Sequence, residues 1–86
     1  MNLCFIIGKI ISNINFDFCI NSENISITYF NIIINKDTVI KVIGYNEIAD
    51  YCYSNLKVGE QIFIKGKLRN DCILIEEIIK INNKIN

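Results

Sequence analysis

Thr38 to Leu68 reads TVIKVIGYNEIADYCYSNLKVGEQIFIKGKL, a strand, a short helix and a second strand. Side chains of an extended chain alternate between faces, so Ile40, Val42 and Gly44 share one side of TVIKVIGY and Val39, Lys41, Ile43 and Tyr45 the other. Asn46 stands where an N-cap accepts from the free N–H groups of a first turn, and Glu47 where the helix dipole favours an anion. The three- and four-residue spacing of Ile48, Ala49, Cys52, Tyr53 and Leu56 predicts one apolar stripe on a helix over about Asn46 to Leu56. Gly59 stands where a left-handed C-terminal residue would end it. QIFIKGKLR then returns to a period of two, with Ile62, Ile64, Gly66 and Leu68 expected inward and Phe63, Lys65, Lys67 and Arg69 outward.

Upstream, Leu3 to Ile11 is apolar on both parities, with Lys9 its only charge. One small barrel cannot bury both faces, so the outer residues Leu3, Phe5 and Ile7 are expected to meet a second copy of the chain. Alternation resumes from Ile14 to Ile20, which reads as the same strand continuing past a bend near Ser12-Asn13; NSEN (Asn21 to Asn24) is a turn cluster. ISITYFNIIIN returns antiparallel, and Tyr29 and Asn31 fall on the parity opposite to Phe30 and Ile32. Asn70-Asp71 reads as a tight hairpin turn, and Glu76-Glu77 interrupts the alternation of CILIEEIIKI as a β-bulge would. Residues 1–81 are expected to form one domain, with 82–86 a short polar end. Five strands, with the only helix between the third and the fourth, is the order of the OB-fold, an all-β Greek-key barrel whose second and third strands expose a ligand face.

At 86 residues the chain is near the size at which core burial becomes marginal, so association with other copies would help stability. Hydrophobic residues make up 51% of it and proline is absent, which argues against disorder. The formal net charge of zero argues against a broad basic surface that binds nucleic acid by charge alone and leaves room for a local cationic strip. Cys4, Cys19, Cys52 and Cys72 form no C-x-x-C and there is no histidine, so they read as small buried hydrophobes, with no metal and no cofactor expected. No apolar run approaches the ~18 residues that span a bilayer, and no signal peptide is visible, so a cytoplasmic protein is expected. There is no nucleophile and base to nominate, and an enzyme is the poorest reading.

The chain resembles the bacterial single-stranded DNA-binding proteins over nearly its whole length. FIIGKI looks like their opening strand with its glycine and following basic residue, and ILIEEIIKI like their closing strand. IKVIGYNEIADY and LKVGEQIFIKGKL look like their third strand, helix and fourth strand. The resemblance implies an OB barrel that pairs through its first strand into dimers or tetramers. It implies single-stranded DNA as ligand, and roles in DNA replication, repair and recombination. It places Tyr45 at a base-stacking position, Lys41 at a basic position on the same face and Lys9 at the basic position after the strand-one glycine. Parity adds Tyr29 and Asn31 beside them and Lys67 and Arg69 on the fourth strand. The family's other stacking aromatics correspond to about Asn35-Lys36, Val39 and Cys72, none of them aromatic; both of its DNA-embracing hairpins are cut to a few residues, and its long acidic-tipped tail has no counterpart in these residues. Ile33, Val39 and Ile43 on the same face support a second reading, an OB-fold module for protein interaction or oligomerisation that has lost DNA binding.

Overall fold

The computed structural model describes residues 2–20 and 23–81. The polar end 82–86 and half of the NSEN turn lie outside them. Six strands and one helix follow in order: β1 (Leu3–Ile10), β2 (Asn15–Cys19), β3 (Ile25–Ile33), β4 (Val39–Tyr45), α1 (Glu47–Asn55), β5 (Gln61–Arg69) and β6 (Cys72–Ile81). The sheet order is β1-β5-β6-β4-β3-β2, and β1 also pairs with β3, which closes five strands into a barrel and leaves β2 as an extra strand. All pairings are antiparallel except β4 with β6, where Lys41, Val42 and Ile43 run parallel to Cys72, Ile73 and Leu74. This is the OB-fold that the order of elements predicts.

The strand expected to continue past Ser12-Asn13 is two strands. β1 pairs with the end of β3 through Lys9–Ile33 and Ile10–Ile32, and β2 pairs with its beginning from Asn15–Tyr29 to Cys19–Ile25. Between them Ser12 interrupts the ladder: its hydroxyl accepts from the Asn31 N–H at 2.8 Å and stands in for a strand carbonyl.

Inward parity supplies the core: Ile10, Phe30, Ile32, Val42, Ile62, Ile64, Ile73 and Ile75 line the barrel, with Cys52 of α1 and Leu56 just after the helix packed against it. Thr28 is buried as well, and its hydroxyl donates to the Asn15 carbonyl at 2.6 Å. Leu68, expected inward, is 49% exposed. Its parity is inward, but it lies at the hairpin end of β5, past the buried layers of Ile62 and Ile64. The bulge expected at Glu76-Glu77 is present: Lys65 faces Glu77 and Gly66 faces Ile75, so Glu76 is the extra residue.

Three details of the helix differ from the sequence reading. Asn46 precedes α1 but makes no side-chain capping bond, because its backbone (φ 56°, ψ −117°) is outside the extended region from which a cap reaches the first turn. Gly59 does have positive φ (97°), but it belongs to the turn after the helix, where the Glu60 N–H donates to the Lys57 carbonyl at 3.2 Å. The helix itself ends at Asn55, whose carbonyl accepts from Lys80 Nζ of β6 at 3.1 Å. A cation from a distant strand thus answers the negative end of the helix. On the apolar stripe, Tyr53 does not enter the core; its ring packs on Phe16 of β2, with centroids 4.8 Å apart.

Candidate nucleic-acid interface

Register places the outward residues of β3 and β4 in cross-strand rows. Asn31 pairs with Lys41, Tyr29 with Ile43 and Ile27 with Tyr45. The four expected residues on these strands therefore share one surface. Lys41 lies over the Tyr29 ring, its ammonium 5.2 Å from the centroid, a diagonal cation–π contact. Tyr45, at the end of β4, is 41% exposed, enough to offer a ring face. Asn31 is half-buried and Tyr29 is half-buried beside Asn15, whose side-chain amide donates to the Tyr29 carbonyl at 3.3 Å.

Two further cations border this surface. Lys9 of β1 pairs with Ile33, which in turn pairs with Val39. Arg69 of β5 pairs with Cys72, which neighbours Lys41 across the parallel β4–β6 pairing. Asn31, Lys41, Cys72 and Arg69 thus form one row crossing four strands.

Ion pairing separates the cations. Lys65, Lys67 and Lys80 are held by Glu77, Glu76 and Glu60 at 3.5, 3.5 and 3.4 Å. Among the described residues Lys9, Lys36, Lys41, Lys57 and Arg69 have no acidic partner. Lys67, grouped with the binding residues by parity alone, lies opposite Leu3 of β1 and is neutralised by Glu76. The bulge causes this, since it turns both glutamates toward the outer face of β5. Lys36, in the β3–β4 turn, was not singled out by parity because it falls outside any strand.

Charge is unevenly spread over the surface. Lys9, Lys36, Lys41 and Arg69 gather at the β3–β4 turn end, with Lys57 apart in the turn after α1, whereas Asp17 lies opposite Ile27 in the row of Tyr45, and Glu47 and Asp50 open α1 just beyond it. Asp17 could have been found from the alternation of β2. Between the polar residues the surface is aliphatic: Ile27, Ile33 and Ile43 are half-buried and Val39 is exposed.

The outer residues of β1 lie on another face. Phe5 and Ile7 are 61% and 56% exposed, Leu3 is exposed beside them, and Phe5 stacks on Phe63 of β5 at 6.2 Å. Ile79 of β6, opposite Phe63, extends the patch.

Among the described residues no group of three His, Cys, Asp or Glu side chains is placed to hold a metal ion. Burial pushes the Cys52 thiol up to about 12, which keeps it protonated and unreactive. Among the described residues no helix is long and apolar enough to cross a membrane.

Solved structures share this barrel. The SSB domain of a Synechococcus protein superposes with a TM-score of 0.80 over 91% of this chain and 93% of its own, at 13% identity. The wild-type single-stranded DNA binding protein of Thermus aquaticus superposes with a TM-score of 0.88 over all of this chain, at 13% identity, and this chain spans 43% of its length. A deletion mutant of the Thermus aquaticus protein gives the same values. At such identity the likeness is one of fold. No family model and no curated protein matches the sequence.

Proposed function

We propose that the chain binds single-stranded DNA on the outer surface of β3 and β4. The observation that carries this reading is the convergence of Lys41, Asn31, Tyr29 and Tyr45 on that surface, bordered by cations without acidic partners. The barrel it shares with the Synechococcus SSB domain and the Thermus aquaticus protein supports it. Tyr45 offers its ring to a base, and stacking of this kind contributes about 1–3 kcal/mol for each base whatever its identity. Lys9, Lys41 and Arg69 take phosphates, Asn31 offers an amide, and Lys67 contributes least because Glu76 already holds it. Asp17 and Glu47 repel phosphate near Tyr45, so the backbone path keeps to the Lys41 side and only the base reaches the tyrosine.

Three phosphate contacts on a single strand give a log–log salt slope of about −2 per subunit. Binding by one subunit is therefore weak, and several subunits on one strand make it useful. The patch of exposed Phe5, Ile7 and Ile79 around half-buried Phe63, with Leu3 at its margin, is the surface through which we place a second copy.

A second reading rests on Ile27, Ile33, Val39 and Ile43, whose aliphatic side chains on the same surface suit a protein partner better than a phosphate track. Fluorescence anisotropy of labelled oligo(dT) at low and moderate salt separates the two. DNA binding predicts saturable binding that weakens with salt and a poor competitor in duplex of the same length. No binding at low salt leaves the protein-interaction module.

A further inference from the structure

Tyr45 leaves β4 at a corner whose backbone is tightly constrained. The next residue, Asn46, has φ 56° and ψ −117°, a combination in which an L side chain crowds its own backbone and which chains mostly leave to glycine. Its main chain is tied on both sides: the N–H donates to the Ser26 carbonyl of β3 at 2.9 Å, and its carbonyl accepts from the Asp50 N–H at 2.9 Å. On the other side of Tyr45, Gly44 is buried where an added Cβ would lie 2.6 Å from Ile48 Cγ2. Tyr45 thus stands between a position that excludes a side chain and one held in a strained conformation.

The Asn46 side chain does not account for that strain. It is exposed, it caps nothing, and it makes no hydrogen bond to a described residue. Glycine would take the same φ and ψ without crowding. What a non-glycine residue adds at this corner is stiffness, and the residue that stiffness acts on is Tyr45.

We infer that Asn46 is a positioning residue for Tyr45: its restricted turn holds the ring on the outer surface of β3 and β4 before a base arrives. This rests on the reading of Tyr45 as the stacking residue. A ring already in place loses little freedom on binding, and that saving appears as affinity. Asn46→Gly therefore has effects of opposite sign. It relieves backbone crowding and stabilises the fold, while it loosens the corner and weakens stacking. A residue serving only the fold would not show that combination.

The test compares wild type, Asn46→Gly, Tyr45→Ala and the double variant by thermal melting and by anisotropy titration of labelled oligo(dT) at fixed salt. Asn46→Gly is expected to melt higher than wild type and to bind about threefold more weakly, with an unchanged salt slope. In the Tyr45→Ala background the same change is expected to cost nothing further, since the two act as one unit. Wild-type affinity for Asn46→Gly, or an equal loss in both backgrounds, overturns the inference while the stacking reading stands on the Tyr45→Ala loss. Unchanged binding by Tyr45→Ala overturns the stacking reading and this inference with it.

Discussion

The Lys41 ammonium lies 5.2 Å from the centre of the Tyr29 ring, diagonally across the β3–β4 ladder. The ring holds the cation over the surface without neutralising it, so the charge remains available to a phosphate. Lys41→Ala is expected to weaken oligo(dT) binding and flatten the log–log salt slope by about 0.7, the share of one phosphate contact on a single strand. Tyr29→Phe keeps the ring and is expected to bind as wild type, whereas Tyr29→Leu removes the platform and lowers affinity. Titrations at three salt concentrations check all of these.

Phe5 and Phe63 stack on an exposed face that also carries Ile7 and Ile79. Wild type is expected to sediment as an oligomer at micromolar concentration, and Phe5→Lys to split it, since a charge buried against apolar surface has no partner there. A wild-type monomer at that concentration contradicts the assignment of this face to a second copy.

Cys52 is buried in the core under α1, and its thiol is pushed up to about 12 from 9.0. The unfolded chain loses this proton above pH 9 while the folded chain keeps it, so the contribution to stability is complete below pH 9 and disappears as pH rises toward 12. Relative to Cys52→Ala, wild type is expected to lose up to about 1.4 kcal/mol per pH unit across that window. Denaturant titrations of both at pH 8 and pH 10.5 measure the difference.

Alternation made the barrel legible in advance. In β4 and β5 a period of two sorts Val42, Ile62 and Ile64 from Lys41, Tyr45 and Lys65, and the structure keeps that sorting. The Glu76-Glu77 interruption was visible for the same reason. Parity says which side a residue faces and nothing of what stands there. Leu68 faces the barrel where the buried layers have ended, and Lys67 faces a glutamate that the bulge has turned outward. The Ser12 break was hidden because β2 resumes the edge of β3 that β1 leaves. Asn46 read as a cap because residue type does not disclose φ and ψ.

Stacking of a single-stranded DNA base on Tyr45 is read out by titrating labelled oligo(dT) with wild type and Tyr45→Ala at low salt. Tyr45 is exposed at the end of β4, so the variant is expected to stay folded and its loss to report on binding. Wild type is expected to bind and Tyr45→Ala to bind more weakly by about 1–3 kcal/mol, with the salt slope preserved because Lys9, Lys41 and Arg69 remain. Equal affinity of the two proteins, or no binding by either, contradicts stacking on Tyr45.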